Sequence, residues 1–218
     1  INFMKTYGIT PSEFGERARQ AAEAGAEVVY CVDSAGGMMP EEVAPYFEEA
    51  RQKTDCLLGF HGHNNLMMVI SNCIRAVQSG ASFIDVTLCG FGRSAGNAPT
   101  EIVIAVFEKL GMKTQYDLFA IMDLIDRYMW PLVGKSRAHD MMGVAGGYSM
   151  FHDSFLPKVK EVALEHHAEL RRLVSRVASH DPIYLDKEYL HKQAHELENT
   201  AVVENSNVLV SFDQQTLP

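Results

Sequence analysis

Leu57-Leu58-Gly59-Phe60-His61-Gly62-His63-Asn64-Asn65 is the stretch whose reading decides the fold. An apolar run ends in two histidines with one residue between them. In a β-strand, side chains at i and i+2 point to one face, about 6–7 Å apart. Two imidazoles so placed can turn onto one ion from a rigid base. Cys56 to Phe60 reads as a buried strand, which puts His61 and His63 at its C-terminal end. In α/β sheets and barrels, ligands bind at that end. A bare His-x-His is a weak motif, and a solvated histidine beside a helix-capping one fits it equally well. The flanking pattern has to decide.

Working outward, Glu27-Val28-Val29-Tyr30-Cys31-Val32 is nearly continuous apolar sequence, the signature of a parallel strand buried on both faces. It ends in the polar turn Asp33-Ser34-Ala35-Gly36-Gly37, and a helix is expected from about Pro40 to Gln52. Upstream, Ile1–Thr6 is strand-like. Thr10-Pro11-Ser12-Glu13 then opens a helix to about Ala24, with Thr10 as cap and Glu13 closing a capping box. Downstream come a helix over Asn65–Ser79, a strand over Phe83–Leu88, the loop Cys89–Asn97 and a helix from Pro99 to Leu110. Strands recur roughly every 25–30 residues, as βαβ crossovers require. A (β/α) barrel or a doubly wound sheet fits this layout. Gly90-x-Gly92-x-x-x-Gly96 has the wrong spacing for a dinucleotide loop.

From Lys113 on, the alternation stops. Tyr116–Tyr128 is apolar at helical spacing, and Pro131 is expected to end that helix. Gly143-Val144-Ala145-Gly146-Gly147-Tyr148 forms a glycine-rich entry to one or two helices over His152–Ala178, and another is expected over Lys187–Glu198. Asn207–Pro218 reads as a tail whose Val208-Leu209-Val210 could pair as a strand. The predicted organisation is α/β: a partial (β/α) barrel over residues 1–112, then a mostly helical C-terminal domain over 113–218.

With 47% hydrophobic and 22% charged residues, the 218-residue chain has an ordinary globular composition. Its net charge of −9 and the lack of a Lys/Arg cluster argue against nucleic acid. No apolar run reaches the roughly 18–20 residues of a membrane span, and no signal peptide precedes the first strand. Cys31, Cys56, Cys73 and Cys89 form no Cys-x-x-Cys pair, so a reducing cytoplasm is expected. The chain opens in mid-strand at Ile1-Asn2-Phe3-Met4, which reads as a start within a domain.

Asp33-Ser34-Ala35-Gly36, His61-Gly62-His63-Asn64-Asn65 and Gly92-Arg93-Ser94-Ala95-Gly96-Asn97-Ala98-Pro99-Thr100-Glu101 occur in that order. So ordered, they resemble the metal-dependent pyruvate aldolases, members of a wider metallolyase barrel family with hydroxymethylglutaryl-CoA lyase and isopropylmalate synthase. Gly146-Gly147-Tyr148-Ser149-Met150-Phe151 is similar to a Gly-x-Tyr-Ser-x-Phe segment of the aldolase branch that cleaves 4-hydroxy-2-oxovalerate. The resemblance covers about residues 1–160. It implies the C-terminal half of a (β/α)8 TIM barrel, about strands four to seven. It also implies a divalent metal, manganese foremost with magnesium or cobalt as alternatives, and retro-aldol cleavage of a 4-hydroxy-2-keto acid to pyruvate and an aldehyde.

By that resemblance His61 and His63 are metal ligands, Ser34 contacts the keto acid, Tyr148 handles the substrate hydroxyl proton, and Asn97 is a further metal-side residue. The family's Arg-Asp-Gly on its first strand has no counterpart here. A fragment of a longer chain, or a half barrel inactive until another chain completes it, is therefore expected. An acyl-CoA lyase or synthase of the same superfamily is the alternative activity. An acylating aldehyde dehydrogenase is the implied partner, docking on the helical region of a homo- or hetero-oligomer. Ser179-His180-Asp181-Pro182 departs from the family's glycine-containing pattern there.

Other residues have blander readings. Asp33 can cap its own turn. Asp85, within an apolar strand, is expected to pair with a basic side chain. Arg93 could meet a carboxylate, though a solvated loop arginine is the commoner case. His191 and His195, at i and i+4, could clip a metal, but surface histidines are the commoner case, as for His166-His167. Met38-Met39, Met67-Met68 and Met141-Met142 are expected to fill core space.

Overall fold

The computed structural model describes residues 1–133 and 141–198. The tail Asn207–Pro218, with its expected strand at Val208–Val210, lies outside them. Four strands, β1 (Asn2–Phe3), β2 (Val28–Asp33), β3 (Leu57–Gly62) and β4 (Phe83–Ile84), form one parallel sheet in the order β1-β2-β3-β4. Helices α1 (Pro11–Glu23), α2 (Pro40–Lys53) and α3 (Val69–Gln78) connect them, and α4 (Thr100–Lys109) follows. A doubly wound sheet reverses its strand order at a switch point. This one runs in sequence without reversal, as one stretch of a (β/α)8 barrel wall.

Local chemistry starts the helices where expected. Thr10 Oγ1 accepts the Glu13 backbone N–H at 3.2 Å, and the Glu13 carboxylate accepts the Thr10 N–H at 2.8 Å. This capping box contributes about 1 kcal/mol. Strand alternation then assigns the faces. Val29, Cys31, Leu58 and Phe60 point to the helices and pack with Phe14, Ala18, Val43, Phe47, Val69, Cys73 and Val103. Fully burying each large apolar side chain contributes roughly 1.5–3 kcal/mol. Tyr30, Gly59 and His61 fall on the opposite face, where the Tyr30 ring lies so close over Gly59 that a Cβ there would sit 2.4 Å from it.

Several elements depart from the sequence reading. The strand expected over Phe83–Leu88 pairs only at Phe83–Ile84. Thr87 instead exchanges backbone bonds with its own following loop, donating to Ala98 at 3.0 Å and accepting from Thr100 at 2.9 Å. Helix α3 begins at Val69, because Asn64–Met67 closes a turn in which Met67 has a φ of +59°. Met67 is accordingly exposed, whereas Met38 is core. Pro131 does not end its helix. After α5 (Leu118–Leu124) a π-turn over Ile125–Met129 shifts the hydrogen-bond register, and α6 (Trp130–Val133) carries Pro131 at its second residue. A residue without an N–H is tolerated early in a new register.

The remaining helices are α7 (Met141–Tyr148), α8 (Leu156–Glu165), α9 (Leu170–His180) and α10 (Lys187–Glu196). Val159, Val162, Leu173, Val177, Leu190, Ala194 and Leu197 form a second core with Phe151. This region meets the C-terminal ends of the strands. The Asn65 side-chain amide donates to the Gly143 carbonyl at 3.0 Å, and Lys5 Nζ to the Ile183 carbonyl at 2.7 Å. Among the described residues no helix is long and apolar enough to cross a membrane.

Candidate active site

His61 is the penultimate residue of β3, on the face away from the helices. Its Nδ1 lies 3.1 Å from Asp85 Oδ2. With Nδ1–H donating to that carboxylate, the Nε2 lone pair is left for a ligand. Asp85 thus pairs with a basic side chain, as its place in an apolar strand suggested. His63, one residue past the strand, is only 7% exposed. Its Nδ1–H donates to the Arg93 carbonyl at 3.3 Å, and its Nε2 lies 3.4 Å from the Arg93 guanidinium. Burial above all, then the Arg93 and His61 charges, push its pKa down to about 4. His63 is therefore neutral at pH 7, the form in which imidazole binds a metal.

The loop after β4 folds over this pair. His63 and Asn97 form an antiparallel bridge, and the Asn64 N–H donates to the Gly96 carbonyl at 3.0 Å. His61, Asp85, Thr87 and Asn97, with Ile84 and Val86, line a pocket of about 390 Å³. Asn97 Oδ1 and Thr87 Oγ1 are buried in the protein without hydrogen-bond partners. Orphaned buried oxygens are costly and call for a partner.

Ser34 is buried beside the pair. Its Oγ accepts the Lys5 backbone N–H at 2.9 Å, and its carbonyl accepts from the Arg93 guanidinium at 3.3 Å. Asp33, fully buried, caps its turn by accepting from Gly36, Gly37 and Met38 at 2.9–3.3 Å. Burial lifts its pKa to about 6 against those donors. Ser34, His61, His63 and Asn97 are thus gathered at one end of the sheet. Tyr148 is not drawn in with them: it is the last residue of α7 and is 78% exposed.

Two groups escaped the sequence reading. Tyr7 has a buried hydroxyl without a partner, and its pKa is raised by burial and then by Asp33. His152 is buried, with Nδ1 accepting the Ser154 N–H at 3.2 Å and Nε2 left without a partner. Burial, Arg93 and Lys5 lower its pKa to about 4. Neither residue sits in a motif; only the fold brings them near Arg93.

The donor set fits a divalent ion. Two imidazoles on one ion, with metal–nitrogen bonds near 2.1 Å, place their ring centroids roughly 4.5–5.5 Å apart. The His61 and His63 centroids are 5.4 Å apart. Each ring is tied through Nδ1 to an acceptor; Nε2 of His61 is left for a ligand, while Nε2 of His63 accepts from the Arg93 guanidinium at 3.4 Å, a contact an ion would replace. The unpartnered Asn97 oxygen lies in the same pocket as His61.

A family profile described as HMGL-like matches residues 2–127. The chain is 38% identical over 160 residues to 4-hydroxy-2-oxovalerate aldolase 2 of Rhodococcus jostii, covering 73% of this chain and 47% of that protein. It is 40% identical over 149 residues to 4-hydroxy-2-oxovalerate aldolase of Desulfitobacterium hafniense, covering 66% and 45%. The chain thus spans about half the length of the curated relatives it matches. Among solved structures it is similar to the N-terminal domain of a candidate aldolase from Bacteroides vulgatus, with TM-score 0.62 and 28% identity over 74% of this chain and 53% of that one. Hydroxymethylglutaryl-CoA lyase of Pseudomonas aeruginosa shares the fold, with TM-score 0.57 and 20% identity over 66% and 52%.

Proposed function

The chain belongs to the HMGL-like family, and on that premise we propose that it carries part of the active site of a divalent-metal-dependent aldolase. Its reaction is cleavage of a 4-hydroxy-2-keto acid to pyruvate and an aldehyde. The observation that carries this reading is the His61–His63 pair, its ring centroids 5.4 Å apart and each ring tied at Nδ1. The aldolase names of relatives at 38–40% identity support the substrate class.

When bound, a divalent ion supplies Lewis-acid polarisation of the keto oxygen. His61 and His63 would hold it through Nε2, His63 exchanging its contact with the Arg93 guanidinium, and Asn97 Oδ1 would be the nearby oxygen donor. Asp85 fixes the His61 tautomer, as carboxylates behind metal-binding histidines do. The Ser34 hydroxyl already accepts the Lys5 N–H and keeps its own O–H to donate to the keto acid. The Arg93 guanidinium, between Ser34 and His63, meets the substrate carboxylate. As the 4-hydroxyl loses its proton, the C3–C4 bond breaks. The aldehyde leaves, and the bond's electron pair passes to the pyruvate enolate, which is then protonated at C3. The Tyr148 hydroxyl, exposed at the end of α7, handles that first proton through water.

Manganese is the metal we assign, with magnesium and cobalt as substitutes, and the cytoplasm is the assigned compartment. The described helices after residue 113, α5 to α10, offer a surface to an acylating aldehyde dehydrogenase. The test is pyruvate release from 4-hydroxy-2-oxovalerate by the manganese-loaded chain, together with manganese binding followed by electron paramagnetic resonance. Turnover that survives complete chelation, or manganese binding unchanged by His61→Ala, would overturn the reading.

A further inference from the structure

The second histidine group lies in the helical region, away from the strand ends. His166 caps the C-terminus of α8, and His191 and His195 stand one turn apart on α10. The two helices share the core of Val159, Val162, Leu190 and Ala194. An antiparallel bridge between Ala168 and Glu198 ties the turn after His166 to the end of α10. The backbone thus holds the three rings together independently of what the rings do.

His166 Nε2 lies 3.3 Å from His191 Nδ1. In a tetrahedral site with zinc–nitrogen bonds of about 2.0–2.1 Å, two ligand nitrogens are about 3.3–3.4 Å apart. A Glu165 oxygen and one ring nitrogen from each of His166 and His191 all lie within 4.8 Å of one another. The His195 ring centroid is 6.2 Å from that of His166. Its Nδ1 is 3.0 Å from Glu198 Oε2, so His195 is engaged beside the group and not within it. A simple hydrogen bond between neutral imidazoles would explain the first distance alone. It does not explain the Glu165 carboxylate beside the two rings.

We propose that Glu165, His166 and His191 form a second metal site that takes a zinc-like transition ion and clips α8 to α10. Nitrogen-rich donors of this kind suit zinc, cobalt, nickel or copper rather than magnesium or calcium. The clip needs no part in any reaction at His61 and His63.

The experiment uses the full 218-residue chain with His61→Ala and His63→Ala, stripped of metal and titrated with cobalt(II). The expected result is one saturating equivalent with a tetrahedral visible spectrum. Adding His191→Ala should weaken it by about a hundredfold, and zinc should raise the melting temperature only while His191 is present. Should the strand-end variant not fold, the wild-type chain is compared with His166→Gln/His191→Gln. The zinc stoichiometry by calorimetry then falls by one equivalent while the helical content stays unchanged. Absence of saturable cobalt binding, or binding indifferent to His166 and His191, overturns the site.

Discussion

The two histidine groups use one side chain with opposite support. At the strand ends, each ring is held by a group that is not a histidine, Asp85 for His61 and the Arg93 carbonyl for His63. Their ring orientations are set before any ion arrives, and at His63 an ion would replace Arg93 at Nε2. On α8 and α10, His166 and His191, both half-buried, lean on each other beside the exposed Glu165. There the ion itself would complete the geometry. Preorganised donors suit chemistry, where small misplacements cost rate; donors gathered by their ion suit a clip.

The largest expected difference between the groups is in turnover. His63→Ala should cost about three orders of magnitude in metal-dependent pyruvate release, the several kcal/mol that Lewis-acid stabilisation supplies. His191→Ala should stay within about twofold, as for a surface position outside the site. Equal losses in steady-state assays would dissolve the distinction. Next in size is Asp85→Ala, which should weaken manganese binding about 10–100-fold while leaving the fold intact. A change confined to kcat with unaltered metal affinity would mean that Asp85 does not act through His61.

A third test addresses the joint between the regions. A Cβ on Gly37 would lie 2.1 Å from the Gly147 carbonyl oxygen, backbone against backbone. Gly37→Ala should therefore destabilise by about 1–3 kcal/mol in urea unfolding, as overpacking does. Gly143→Ala, one turn earlier on α7, meets only Ala95 and Asn65 at 3.7 Å or more and should be neutral or slightly stabilising. If both are neutral, α7 does not seat on the β2 turn as described.

The fold was legible because its signals are local. Thr10 and Glu13 announce a helix start, and Glu27–Val32 and Cys56–Phe60 announce buried parallel strands. His61 and His63 followed from a period of two. What stayed hidden depends on partners distant in sequence. Nothing around Thr87 says that it will turn to Ala98 and Thr100 rather than continue β4. Pro131 carries the usual helix-stop signal, which the π-turn before it cancels. Asp85 could be assigned a basic partner on burial grounds, but which one needed the register of β3 against β4. Tyr148 was picked out by resemblance, and its solvent exposure on α7 could not be read from its glycine-rich neighbours.

The smallest expected effect concerns pH, and it asks which buried imidazole carries the greater strain on neutrality. His63 faces Arg93, His61 and Asp153, and His152 faces Arg93, Lys5 and Asp153; in both, burial is the leading cause of a pKa near 4. In the unfolded chain both titrate near 6.5. Between pH 6.5 and 4 the unfolded state then binds more protons, so stability is complete above pH 6.5 and falls as the pH drops towards 4. For His63 the loss at pH 5 should be about 1–2 kcal/mol, at roughly 1.4 kcal/mol per pKa unit. Urea midpoints of the metal-free chain at pH 7 and pH 5 measure it. His63→Gln and His152→Gln should each remove about half of the difference. If His152→Gln flattens it and His63→Gln does not, the unpartnered ring beside Arg93 is the one held neutral at a cost, and the strand-end pair is less shielded from water than its burial implies.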